Sequence, residues 1–289
     1  MSASRAHNTS LAYSTAMNAF FKFRQLYGMP PSWPASVEQL ILFMSYCFEI
    51  GLSPSTIHSY IQGLNYYHKL HGWFEITSIF IISKLLEGCR RSAPSRDNRA
   101  PVTPNMLNSM RISLPLVCHN GYEASLFLAA FLLAYFGMFR VSELVAPSRC
   151  SLGTALLRSD VSFSADNASV SISLRTYKTK QRGPPTIIKL TREVNGDICP
   201  VRALHAFLRL RPNNVDTLFC HANGTPVSRS QFCGVLAKCL RVSGYHNQIV
   251  RSHSFRIGRA TQLAASGVPT GAIMTMGRWL SVAYKTYIR

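Results

Sequence analysis

The sequence predicts a mainly α-helical protein of two domains, an N-terminal helical bundle and a larger α+β domain with a small β-sheet or hairpin. Three observations carry this. Helix-periodic segments with capping residues fill residues 1 to 92; a polar stretch with two prolines follows at 92 to 101; beyond it, helical segments are interrupted by one region of strand-like alternation.

In the first segment Tyr13, Ala16, Met17, Phe20 and Phe21 recur at helical spacing, with Ser10 placed to cap them and Gly28 and Pro30-Pro31 to end them. Ser36 and Gln39 have capping-box spacing before the apolar run 40–48, which Gly51 closes. Ser53-Pro54 opens a third helix that Gly72 stops, and a fourth runs from about Thr77 to Arg90. Four short helices of this kind make a small bundle. The stretch SAPSRDNRAP reads as the linker, placing the domains at 1–95 and 101–289.

Thr103-Pro104 begins the second segment, and the largely apolar run from Tyr122 to Phe136 is expected to be a helix buried on every side. Val170, Ile172 and Leu174, then Ile187, Ile188 and Leu190, read as a hairpin with Lys178, Lys180 and Arg182 at its tip. Further helices run from Pro200 to Leu210, from Ser228 and its partner Gln231 to Gly244, and from His253 to Ala265. The longest charge-free apolar run, Ala124 to Phe139, is 16 residues and falls short of the ~20 that a membrane-spanning helix requires.

Charge points to a partner. There are 31 Lys and Arg against 12 Asp and Glu, a formal +19, and residues 100–289 hold 22 basic and 7 acidic side chains. Such an excess suits a polyanion, nucleic acid ahead of a membrane surface. The 8 cysteines form no Cys-x-x-Cys pair and no zinc-like spacing, so they are expected to be reduced and buried, Cys220 beside His221 included. The first thirty residues lack an apolar signal-peptide core, which predicts an intracellular protein.

Each candidate site residue has a bland reading when taken alone. Arg140 follows the buried helix and can complement its dipole while pairing with Glu143. Lysines on a hairpin tip are usually solvated. His253 and Arg256 share one helical face a turn apart, although cations at a helix start oppose the dipole. Arg278, Trp279, Tyr284 and Tyr287 have the spacing of an ordinary aromatic stripe.

Together their order is more specific. An Arg, a Lys on a hairpin, His-x-x-Arg on a helix, then Gly-Arg-Trp with Tyr287 ten residues after Gly277, resembles the tyrosine recombinase (phage-integrase-like) signature. HSFRIGRAT and GRWLSVAYKTYIR look especially like the recombinases of DIRS-like, Ngaro and Crypton eukaryotic mobile elements. TIHSYIQGLNYYHKLHG and RAPVTPNML are similar to that family's core-binding region.

The resemblance implies a four-helix, SAM-like core-binding domain and a catalytic domain of the tyrosine recombinase fold. It implies double-stranded DNA as partner, self-association on DNA as dimer or tetramer, a nuclear location in a eukaryote, and cleavage and rejoining through a 3′-phosphotyrosyl link with no cofactor or metal. Arg140, Lys178, His253, Arg256, Trp279 and Tyr287 would be catalytic, with Lys180 and Arg278 on DNA. Counted from Gly277, the family's His/Trp position falls on Arg278, or on Trp279 if the turn is one residue longer. Many relatives continue into a C-terminal helix that docks on a neighbouring protomer, whereas two residues follow Tyr287. Related readings are a catalytically silent DNA-binding protein of this fold and a relaxing topoisomerase; an RNA-binding module lacks its aromatic signature.

The chemistry fits these residue types. Attack on a phosphodiester builds negative charge on non-bridging oxygens, which two Arg forks stabilise. A phenol, with an ordinary pKa of about 10, is a poor nucleophile at neutral pH and gains from a neighbouring His. The departing 5′ oxygen needs a proton, for which Lys178 is the first candidate and Lys180 the second.

Overall fold

A computed structural model describes residues 7–93, 97–148, 151–177, 180, 182–193 and 196–289. The chain separates into two compact units, Met1–Asp97 and Asn98–Arg289.

The first unit is helical throughout. Helix α1 spans His7–Leu26, so Ser10 lies inside it rather than at its cap. Helix α2 (Val37–Glu49) starts at Ser36, whose Oγ accepts the Gln39 N–H at 3.3 Å. The capping box is only half formed, because Gln39 Oε1 instead accepts from Arg24 Nη2 at 2.7 Å. Arg24 is 2% exposed and lies over the Phe20 and Trp33 rings, so a buried guanidinium takes the acceptor ahead of a solvent-facing cap. Helix α3 (Pro54–Leu70) is capped by Ser53, and α4 (Phe80–Ser92) begins after a 3-10 turn at Ile76–Ser78, slightly later than the spacing predicts. Phe20, Phe23, Leu40, Phe43, Ile57, Ile61 and Leu64 form the core.

The second unit is built around one apolar helix. Helix α5 (Pro104–Val117) is capped by Thr103, and α6 (Gly121–Phe136) by Asn120, which accepts the Glu123 N–H at 2.9 Å. From Leu126 onward nearly every side chain of α6 is buried; Phe131 packs on Phe127, Phe232 and Phe255. Truncating such a phenylalanine to Ala costs roughly 3–5 kcal/mol. A four-residue helix α7 (Val141–Leu144) follows.

Strands β1 (Val161–Phe163), β2 (Ser169–Leu174) and β3 (Thr186–Thr191) form an antiparallel sheet in the order β1-β2-β3. The expected hairpin is β2-β3, with Val170 opposite Leu190 and Ile172 opposite Ile188. Three-residue β1 is too short for a period-two pattern to reveal. Helices α8 (Pro200–Leu210) and α9 (Arg229–Val242) come next, the latter with a complete Ser228–Gln231 capping box. Helices α10 (Ser254–Ala265) and α11 (Thr270–Gly277) and a 3-10 turn at Val282–Tyr287 end the chain.

Helix α10 is held hard against the segment leading into α5. Val102 N–H donates to Ser254 O at 3.0 Å, and a Cβ on Gly258 would lie 1.8 Å from Val102 O. That close approach fixes the face on which His253 and Arg256 stand. Among the described residues no helix is long and apolar enough to cross a membrane.

Candidate active site

The site forms where the end of α6, the start of α10 and the turn after α11 meet. After α6 the backbone kinks at Met138, a non-glycine residue in the left-handed region (φ 48°). Two of the carbonyls exposed by this kink accept from arginines. Met138 O accepts from Arg256 Nη1 and from Arg278 Nη2 (2.8 Å), and Gly137 O accepts from Arg278 Nη1 (3.1 Å).

Arg140 stands at the N-cap of α7. Glu143, 2% exposed, accepts from its backbone N–H (2.9 Å) and, through Oε1, from its Nη1 (2.9 Å). The expected pairing of Arg140 with Glu143 is therefore present, and Arg140 still keeps 17% of its side-chain surface exposed. Glu143 Oε2 takes a second guanidinium, Arg278 Nη2, at 3.0 Å. One buried carboxylate thus serves two arginines.

Arg256 is wholly buried, donating to Gly277 O at 2.8 Å as well as to Met138 O. Its guanidinium lies under the Trp279 ring (4.8 Å) and near that of Tyr287 (5.7 Å). Burial pushes its pKa down, and the charges of Arg140 and Arg278 add to the shift. The guanidinium stays protonated at neutral pH all the same.

His253 Nε2 is 2.6 Å from the Tyr287 hydroxyl, and their rings are 5.1 Å apart. Trp279 packs on the other side of Tyr287, ring centroids 4.8 Å apart. Gly277 makes this possible, since a Cβ there would lie 1.8 Å from the indole Cζ3. The indole Nε1–H is buried with no acceptor among the described residues.

Arg278 and Trp279 diverge in the fold. Arg278 takes the left-handed C-cap of α11 (φ 57°), which swings its side chain inward, 3% exposed, and leaves Trp279 beside Tyr287. Arg278 is therefore placed away from solvent, contrary to the expectation of a DNA-facing cation. Tyr284, the other tyrosine of the aromatic stripe, is 8% exposed in a cluster with Met138, Ala260, Leu263 and Ile273. Lys178 lies outside the described residues. Lys180 is described: its backbone pairs with Tyr177, its Nζ donates to Thr186 Oγ1 at 3.2 Å, and the Tyr177 ring lies 5.8 Å from the Arg278 guanidinium.

A model of the phage integrase family matches residues 118–288. This chain belongs to that family. Among curated proteins none matches the sequence. The Tn1549 transposon integrase, solved in complex with circular intermediate DNA, is similar at 16% identity and a TM-score of 0.62, covering 99% of this chain and 90% of its own. The XerH site-specific recombinase bound to palindromic difH, a post-cleavage complex, is similar at 15% identity and 0.66, covering 96% and 74%. A lambda integrase dimer bound to a COC' core site is similar at 13% identity and 0.66, covering 99% and 89%. At such identities the likeness establishes the fold.

Within this integrase-family chain, then, Arg140, His253, Arg256, Trp279 and Tyr287 come together around one point. Sequence reasoning gave Thr261 no part, yet it ties down the segment that ends at Tyr287. Its Oγ1 accepts the Arg289 N–H at 3.1 Å and donates toward Ile257 O (2.8 Å) or Tyr287 O (3.3 Å). Its place two turns after His253 on one helical face is the signal that could have found it. Among the described residues no group of three or more His, Cys, Asp or Glu is arranged to hold a metal; His221 instead pairs with Glu123 at 3.3 Å.

Proposed function

We propose that this chain cleaves and rejoins double-stranded DNA, with Tyr287 as nucleophile. One observation carries the reading: the Tyr287 hydroxyl is 2.6 Å from an imidazole nitrogen of His253, beside Arg256 and within the same cluster as Arg140.

In this reading the Tyr287 oxygen bonds to phosphorus as its proton passes to His253 Nε2. The bond from phosphorus to the 5′ oxygen breaks, and that oxygen takes a proton from Lys178, with Lys180 as second candidate. The 3′-phosphotyrosyl link keeps the ester's energy, so the reverse attack reseals the strand without a nucleotide. Arg140 is the accessible fork. Arg256 acts from beneath the tyrosine ring, where low dielectric strengthens its charge, and directly once the ring turns toward the phosphate. The unpaired Trp279 N–H is suited to a non-bridging oxygen.

The first unit would be the core-binding domain and the second the catalytic domain, assembling as dimers or tetramers on DNA. The Tn1549 and lambda relatives, solved with DNA, support that partner. The mobile-element setting, with DIRS-like, Ngaro and Crypton recombinases as kin and the nucleus as location, rests on HSFRIGRAT and GRWLSVAYKTYIR. The test is covalent trapping on a nicked duplex. Wild type is expected to form a protein–DNA adduct, and Tyr287→Phe to abolish it while DNA affinity holds; an adduct that survives the change refutes the nucleophile.

A further inference from the structure

We propose that Arg278 is a positioning residue that sets the charge of the site without touching DNA, by neutralising Glu143 so that Arg140 and Arg256 act as two full cations. This deepens the proposed phosphoryl transfer and rests on it.

Arg278 has no reach to spare. Its side chain is 3% exposed, Nη1 is bonded to Gly137 O, Nη2 to Met138 O and Glu143 Oε2, and Nε is buried without a partner. Phe139 and Tyr177 cover its guanidinium at 5.2 and 5.8 Å. A direct phosphate contact would require dismantling all of this.

Charge explains what it does instead. Glu143 is buried against Arg140, and with no second cation its carboxylate would cancel that fork. Arg278 takes the other carboxylate oxygen, so each guanidinium meets one oxygen. Three arginines and one glutamate leave the cluster at about +2, the charge complementary to a doubly negative phosphorane. Without Arg278 the cluster falls to about +1, and Arg140 is drawn fully onto Glu143. Burial makes this matter, because neither water nor salt screens the carboxylate.

The hypothesis predicts a rescue that a merely structural C-cap would not give. Full-length Arg278→Met, Glu143→Gln and the double variant are compared in single-turnover adduct formation on a nicked duplex, with DNA affinity measured separately. Arg278→Met should slow the step about 100-fold, the scale of losing one transition-state donor, with affinity changed less than about 3-fold. Glu143→Gln added to Arg278→Met restores the charge and should recover about 10-fold or more of the lost rate. A double variant no faster than Arg278→Met overturns the proposal, as does a loss of affinity that accounts for the whole rate effect.

Should wild type form no adduct, the proposed function fails, and the inference is then judged by binding of inorganic phosphate, read by ³¹P linewidth. Arg278→Met should weaken that binding and the double variant restore it. No restoration overturns the proposal on that measurement too.

Discussion

Gly277→Ala isolates the role of the indole that backs Tyr287. Helix propensity alone favours the alanine by up to about 1 kcal/mol, and the Gly277 backbone is not in the left-handed region. The cost is steric: the new Cβ would lie 1.8 Å from Trp279 Cζ3, whereas a carbon–carbon contact settles near 3.5 Å. The ring must retreat by roughly 1.7 Å. It has little room, being seated on Arg256 at 4.8 Å and on Tyr287 at 4.8 Å. Tyr287 would move with it and lose its 2.6 Å approach to His253. Overpacking costs about 1–3 kcal/mol, so the net destabilisation is roughly 0–2 kcal/mol, while a misplacement of about 1 Å at a reacting atom lowers rate about 100-fold. The assay is single-turnover adduct formation on a nicked duplex, with thermal melting and DNA affinity in parallel. Gly271→Ala on the same helix is the control, because its Cβ meets nothing within 4 Å. A Gly277→Ala rate within about 3-fold of wild type, matching the control, would refute the idea that the indole holds the nucleophile in place.

Thr261→Val keeps the shape but removes the tie to the C-terminal segment, so the adduct rate should fall about 10-fold with stability changed by about 1 kcal/mol; an unchanged rate would show that the segment is held by packing alone. His68 is fully buried, with Nε2 accepting the Ala35 N–H at 3.3 Å and Nδ1 facing Phe74 O, and burial lowers its pKa from 6.5. A depressed folded pKa means that this stabilisation is complete above about pH 6.5 and is lost as pH falls through the folded value, at up to about 1.4 kcal/mol per pH unit. His68→Gln should flatten the melting profile between pH 7.5 and 5.5, and an undiminished slope would rule out His68 as its source. DNA affinity should fall by about 1,000-fold or more between 50 and 200 mM salt if several phosphates are neutralised, and a flat response would remove the basic surface as the contact.

Much of this molecule is written locally in its chain. Ser36, Ser53, Thr103, Asn120 and Ser228 each start the helix that follows them, because a short polar side chain satisfies a free N–H wherever the helix later packs. Alternation likewise marks β2 and β3 as strands before their pairing is known. The order of Arg140, His253, Arg256 and Tyr287 was enough to name the family. Which side chain faces where was not legible, since it depends on contacts between distant segments. Two left-handed residues, Met138 and Arg278, turn carbonyls and a guanidinium inward, and no residue-type preference marks either position, as a glycine would. Arg24 drawing Gln39 away from its cap and Glu143 divided between two arginines are likewise products of burial, in which a charge with no water left to solvate it takes the acceptor that the folded chain brings within reach.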